Sequence, residues 1–145
     1  MANVGDVAKY IINRLPVDNL KLQKLIYYSQ AVYLVLHNGE PLFREKIEAW
    51  TYGPVVRSIY KEYKKNGIDI IKHNSEEPIN LNSEEIEAID FALEYYGKFT
   101  GPELINRTHQ EDPWRYIFDS ENNHKVIPNA DIYNYYRQFY IFTES

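Results

Sequence analysis

The segment from position 19 to position 36 constrains the fold more than any other part of the chain. Its apolar residues recur at helical spacing on one face: Leu22, Leu25, Ile26, Tyr33 and Leu36, with Ser29 among them. Most of the remaining surface is filled by Tyr27, Tyr28, Ala31, Leu34 and Val35. A helix that is apolar nearly all round must be surrounded by other elements. The sequence therefore predicts a central helix, capped by Asp18 or Asn19 and stopped by Asn38-Gly39.

The other periodic segments predict a mainly α protein. Helical spacing and end signals predict six further helices, at about 4–14, 54–66, 83–96, 101–109, 112–118 and 131–142. Alternating residues predict a short strand at 47–52 and a second at 68–71, with loops at 73–81 and 119–129. We expect a compact single domain, 1–145, of six or seven helices with a small two-stranded β element.

Composition excludes several classes of protein. The length of 145 residues is that of one domain. The absence of cysteine excludes a disulfide framework, a zinc finger and a thiol nucleophile. The net charge of −5 disfavours autonomous DNA binding, which draws its affinity from Lys and Arg. No signal-like start is present, and the longest apolar run, 31–36, is too short to span a bilayer. We expect a cytoplasmic protein with no membrane partner.

The sequence contains few residues in patterns that indicate catalysis. No clustered glycines precede a helix, and neither His-Glu-x-x-His nor Gly-x-Ser-x-Gly occurs. His109 precedes Asp112 by three residues, a spacing that suits an acid–base pair or part of a metal site. The alternative is that His109 closes its helix and hydrogen-bonds to the Asp112-Pro113 turn. No cofactor, metal site or catalytic group is predicted.

Several other residues have two interpretations. Trp50 and Trp114 suit either the core or an interface, and Tyr52-Gly53-Pro54 suits either a strand-to-helix corner or a contact surface. Gln23 and Lys24 interrupt the central helix, so they lie on an exposed stripe or are paired inside. The basic run is typical of a solvated face or of a phosphate site. It consists of Lys61, Lys64 and Lys65.

Three motifs carry a resemblance to a known family. They are Leu-Lys-Leu-Gln-Lys-Leu-Ile-Tyr-Tyr-Ser-Gln at 20–30, Glu-Ala-Trp-Thr-Tyr-Gly-Pro-Val at 48–55, and Thr108-His109 followed by Asp112-Pro113-Trp114. In this order and spacing they resemble the Panacea domain, the SocA-like antitoxin domain of phage-associated proteins of the GepA type. The resemblance covers about 4–118. The remainder, 119–145, is a loop and a C-terminal helix that match the family poorly.

The resemblance implies an antitoxin that neutralises a cognate toxin, encoded next to it, by protein–protein binding. A variant of this mechanism has the antitoxin act as an adaptor that delivers the toxin to a cellular protease. Two other hypotheses stay open: an enzyme or metal site that depends on His109 and Asp112, and a DNA-binding autoregulator. The residues at the family's motif positions are the candidates for toxin contact. They are Gln23, Lys24, Trp50, Tyr52, Gly53, Pro54, His109 and Trp114.

Overall fold

A computed structural model describes residues 1–73 and 76–142 of the chain, and its helices confirm the predicted mainly α class. The α-helices of this part are α1 Val4–Arg14, α2 Asn19–Leu36, α3 Arg57–Tyr63, α4 Ser83–Tyr96, α5 Gly101–Gln110, α6 Asp112–Arg115 and α7 Asn129–Tyr136. A 3-10 turn, Lys64–Asn66, extends α3. The strands are β1 Ile47–Trp50, β2 Gly53–Val55 and β3 Lys125–Ile127.

Helix α2 lies at the centre of the molecule, as its apolar circumference predicts. Asp18 caps it by accepting from the Lys21 amide at 2.8 Å, and Asn38 (φ 53°) and Gly39 (φ 96°) end it in the left-handed region. Of its 18 residues, 13 are buried. It contacts α1, α3, α4, α5, α7 and β2, so most of the other helices pack directly on it.

Helices α1, α4 and α5 begin where the sequence predicts, and side-chain caps fix each start. The Asn3 side chain accepts from the Gly5 amide at 2.7 Å. Asn82 with Glu85, and Thr100 with Glu103, form two reciprocal capping boxes at the starts of α4 and α5. Each cap satisfies backbone amides that the helix leaves unpaired, which fixes where these helices begin.

The sheet differs from the predicted two-stranded element. It has three antiparallel strands in the order β2-β1-β3, and the strand predicted at 68–71 is wrong. Residues Ile68 and Ile70 are exposed outside any ladder. β3 instead comes from the segment predicted as a loop and pairs Ile47 with Ile127 and Ala49 with Lys125. A strand of three residues is too short for an alternating pattern to identify it.

Strand β2 also corrects the predicted start of the third helix. Gly53-Pro54 does not open that helix, because 53–55 pair with β1 in the register Trp50↔Gly53 and Glu48↔Val55. Pro54 is tolerated there because β2 is an edge strand and its missing amide interrupts no ladder. The helix begins only at Arg57.

The last two helices are shorter than predicted. α6 ends at Arg115 rather than at 118, and α7 spans Asn129–Tyr136 rather than 131–142. The predicted loop at 73–81 includes residues 74–75, which lie outside the described residues. Although α7 is short, it buries Ile132 and Tyr136 in the core. Among the described helices, none has both the length and the apolar character needed to cross a bilayer.

A buried network of tyrosines fastens α7 to α2. The Tyr136 hydroxyl lies 3.0 Å from that of Tyr27 and donates to Glu111 Oε1 at 2.7 Å. Tyr28 donates to the same oxygen at 2.6 Å. Burial raises the pKa of Glu111, and the two tyrosine hydrogen bonds oppose that rise.

Replacing Tyr136 by Phe tests this network. Tyr136→Phe leaves the Tyr27 hydroxyl buried with one partner fewer, so we expect the free energy of unfolding to fall by about 1–3 kcal/mol. Urea denaturation measures the change. Tyr133→Phe on the same helix is the control and should change stability by less than about 0.5 kcal/mol. Equal stabilities for the two variants would contradict the structural role of the network.

Candidate functional site

The three sequence motifs meet at the turn between β1 and β2. The Trp114 indole nitrogen donates to the Trp50 carbonyl oxygen at 2.8 Å. The His109 ring stacks on Trp114 with centroids 3.9 Å apart, and its imidazole hydrogen-bonds to the backbone of Thr51. The junction of α5 and α6 therefore holds the turn in place from one side.

Gly53 brings the turn into direct contact with α2. Its φ of 106° lies in the region that side chains disfavour. A Cβ at this position would stand 2.6 Å from Lys24 Cε and 2.9 Å from Thr108 Oγ1. The positive φ favours glycine, and a Cβ would fit only if the Lys24 or Thr108 side chain shifted.

The Gln23 side chain is buried and hydrogen-bonded within the protein, which is one of the two predicted alternatives. Its Oε1 accepts from the Val56 amide at 2.9 Å, and its Nε2 donates to Asn19 Oδ1 at 3.1 Å. Asn19 in turn donates to the Tyr60 carbonyl at 3.1 Å. This chain of bonds ties the end of β2 and the helix α3 to α2, so Gln23 serves the fold.

Lys24 is neither on an exposed stripe nor paired. Its side chain is fully buried, and its Nζ is one of three buried side-chain polar atoms without a hydrogen-bond partner in the described part of the chain. The others are His109 Nε2 and Glu45 Oε1. Burial lowers the pKa of Lys24 to about 7, against the attraction of Asp18. Burial also lowers the pKa of His109, and the Lys24 charge adds to this effect.

A cavity of about 550 Å³ opens beside the turn. Its lining comes from the first turns of α2, the β1–β2 turn, α3 and the segment that precedes β3. The lining residues are Asn19, Leu20, Gln23, Lys24, Trp50, Thr51, Tyr52, Val55, Tyr60, Lys64, Gly67, Ile68, Ile105, Asn123 and His124. Among these described residues none is Asp or Glu, whereas two are lysines.

Aromatic side chains form the rim of this cavity. Trp50 stacks on His124 with centroids 4.3 Å apart and meets Tyr60 edge to face at 4.9 Å. Tyr52 stands at the tip of the turn and is 64% exposed. Exposed aromatic groups on a rigid turn are typical anchors of protein interfaces.

The eight predicted contact residues therefore divide into two groups. Trp50 and Tyr52 reach the surface at the cavity rim, and His109 is partly buried behind the turn. The others are buried: Gln23, Lys24, Gly53, Pro54 and Trp114. The motifs thus describe a supported turn more than a continuous surface.

His109 and Asp112 do not form the pair that their spacing suggests. Asp112 accepts from Arg115 at 2.6 Å, while His109 turns towards Thr51 and Trp114. Within residues 1–73 and 76–142, no group of three or more His, Asp or Glu side chains is placed to share a metal ion.

Sequence reasoning missed part of the cavity wall. Asn123 and His124 lie in a predicted loop without periodicity, and only the pairing of β3 with β1 brings them to the cavity. Asn19 was identified as a helix cap, but its link to Gln23 and Tyr60 has no signal in a single sequence.

Comparisons with known proteins agree with these motifs. A family model described as Antitoxin SocA-like, Panacea domain, matches residues 22–115. Antitoxin SocA of Caulobacter vibrioides (strain NA1000 / CB15N) is 30% identical over 115 residues, which are 71% of this chain. The chain spans 61% of the length of that curated relative. No solved structure matches the chain.

Substituting Gly53 tests the close approach of the turn to α2. Gly53→Ala should lower the free energy of unfolding by about 2–4 kcal/mol, because it adds a steric clash to an unfavourable φ. Gly39→Ala is the matched control, since Gly39 has φ 96° but no atom near its would-be Cβ. The control should cost about 1–2 kcal/mol. Equal losses in denaturant titrations would argue against the contact.

The buried amine predicts a characteristic dependence of stability on pH. The folded pKa of Lys24, about 7, lies below its ordinary value of 10.5. Between these values the unfolded chain binds more protons, so stability rises with pH by up to about 1.4 kcal/mol per unit. Below pH 7, Lys24 is charged in both the folded and the unfolded chain, so its burial lowers the free energy of unfolding by the full amount.

Lys24→Met removes this contribution, so the variant should be a few kcal/mol more stable than wild type at pH 7. Its advantage should shrink as the pH rises to 9.5 in thermal or urea unfolding. Lys64→Met, at an exposed lysine on the cavity rim, should keep the wild-type slope. A Lys24→Met variant with that same slope would mean that Lys24 titrates normally.

Proposed function

Because the chain belongs to the SocA-like antitoxin family that carries the Panacea domain, we propose that it is an antitoxin that neutralises a cognate toxin by binding it. The observation that carries this proposal is the family match over residues 22–115, which encloses all eight motif residues. The relative Antitoxin SocA supports it further. The partner is then a toxin protein, encoded next to this chain.

We infer that the β1–β2 turn is the contact surface. Tyr52 projects from it with 64% exposure, and Trp50 with its stacked partner His124 borders the adjacent cavity. A turn held by Trp114 and His109 loses little conformational entropy on binding, which favours affinity. In this proposal the buried motif residues position the turn and do not touch the toxin.

Neutralisation can take two forms, and co-expression separates them. The product of the neighbouring reading frame is expressed alone and together with this chain, while growth, co-purification and toxin abundance are scored. Direct inhibition predicts growth rescue with a stable complex, which is the outcome that we expect. Rescue with loss of the toxin from the lysate indicates delivery to a cellular protease. A neighbour that is harmless alone would contradict the antitoxin role for this pair.

The contact surface is tested by removing its exposed tyrosine. Tyr52→Ala should weaken toxin binding by at least about 2 kcal/mol, or roughly 30-fold in Kd, as expected for an aromatic anchor. Calorimetry on the purified complex measures this change. Tyr95→Ala is the control, because Tyr95 is also half exposed but does not line the cavity. Unchanged affinity in a folded Tyr52→Ala protein would remove the turn from the interface.

A further inference from the structure

The cavity beside the turn combines a buried cation with walls that carry no opposing charge. Lys24 lines it, and the Lys24 amine has no hydrogen-bond partner in the described residues. The neighbouring amides are already used, since Gln23 pairs with Val56 and Asn19. Lys24 is therefore the fully buried group on this wall whose hydrogen-bond donors are unused.

An unpaired amine in an apolar site is costly, and an anion that reaches it recovers part of that cost. The fold contains carboxylates nearby but does not use them here. The Asp18 carboxylate attracts the Lys24 charge at a distance but does not hydrogen-bond to it. The Asp18 side chain instead caps α2 by accepting from the Lys21 amide. Within the described residues, no carboxylate is hydrogen-bonded to the Lys24 amine.

The walls indicate what kind of molecule carries that group. Leu20, Val55, Ile68 and Ile105 supply aliphatic surface, and Trp50 supplies an aromatic face. A volume of about 550 Å³ is within the range of small-ligand sites. One buried amine balances one negative charge, whereas a phosphate dianion would need more cations or several backbone amides.

We propose that this cavity binds a carboxylate carried on an aromatic or apolar body, with Lys24 Nζ as its ion-pair partner. Two sources have this chemistry: a free small organic acid, or the C-terminal carboxylate of an apolar residue in the bound protein partner. The second source rests on the proposed function, whereas the first does not.

The turn controls access to the amine. Gly53 lies directly over the Lys24 stem, close enough that a Cβ would stand 2.6 Å from Cε. Lys24 lines the cavity, and its stem is flexible. In this proposal the Lys24 side chain therefore changes its rotamer to bring Nζ to the ligand.

The rim of the cavity would contact the body of the ligand. Trp50 lies within the family match of residues 22–115, whereas its stacking partner His124 and the adjacent Asn123 lie beyond it. Lys24 also lies within the matched segment.

Pairing with a carboxylate should also change the titration of Lys24. The free amine has a pKa of about 7, set by burial. The other ionisable groups around it are Asp18, His109, Lys64 and His124. A bound carboxylate raises the Lys24 pKa, so affinity is highest below pH 7 and falls as the pH rises above it.

The test uses the full chain and defined probes. Phenylacetate and indole-3-acetate are titrated by calorimetry against their neutral amides, phenylacetamide and indole-3-acetamide. We expect saturable binding of the acids with Kd of about millimolar, and at least tenfold weaker binding of the amides. Lys24→Met should lose at least about tenfold in acid affinity, whereas Lys61→Met, at an exposed lysine that does not line the cavity, should stay within about threefold.

A second measurement does not depend on any variant. In wild-type protein with ¹³Cε-labelled lysine, adding indole-3-acetate should raise the NMR-measured pKa of Lys24 by about one unit or more. An unchanged Lys24 titration at saturating acid would overturn the proposal. Equal binding of acids and amides, or full acid affinity in a folded Lys24→Met protein, would overturn it as well.

The two sources are separated by a peptide arm. The tripeptide Ala-Ala-Trp is compared as free carboxylate and as C-terminal amide. Binding of phenylacetate and indole-3-acetate without binding of the peptide assigns the site to a small organic acid. Preferential binding of the peptide with its free carboxylate assigns it to a protein C-terminus. If neither the small acids nor the peptide binds in a carboxylate-dependent way, the proposed site is refuted. If Lys24→Met then still rescues growth and binds the toxin with wild-type affinity, the proposed antitoxin function stands. If the wild-type protein does not rescue growth, that function is rejected separately.

Discussion

The structure depends on complete burial of α2. An apolar helix that other elements surround must also accommodate its few polar side chains, and here these side chains determine what is built around them. Gln23 holds the end of β2 through the Val56 amide, and Gln30 holds the loop before β1 by accepting from the Leu42 amide at 2.7 Å. Lys24 supports the Gly53 turn from beneath. The geometry of the β1–β2 turn is thus a consequence of how the fold accommodates the polar residues of the core helix.

Much of the helical framework could be predicted because its signals are local. The Asn3 cap, the Thr100–Glu103 capping box and the left-handed stop at Asn38-Gly39 identify their helices without knowledge of the rest. The sheet could not be predicted in the same way. β2 and β3 have three residues each, and their pairing with β1 is decided by tertiary contacts. The end of α7 was also overestimated, because apolar residues continue beyond Tyr136 without continuing the helix.

The site was predicted as a set of residues but not as an arrangement. The motifs identified Lys24, Tyr52, Gly53, His109 and Trp114, yet their spacing says nothing about which are supports and which are exposed. The structure separates them: Trp114 and His109 brace the turn, Gly53 permits its approach to α2, and Tyr52 reaches solvent. The proposed recognition of a partner rests on this arrangement of an exposed aromatic tip beside a cationic cavity.

Amide hydrogen exchange of this chain, alone and in complex with the product of the neighbouring reading frame, tests the central claim most directly. The account predicts that the complex slows exchange at residues 50–53 and 123–124 and leaves the exposed face around Tyr95 and Phe139 unchanged. Protection confined to the Tyr95 and Phe139 face, with none at the β1–β2 turn, would contradict it.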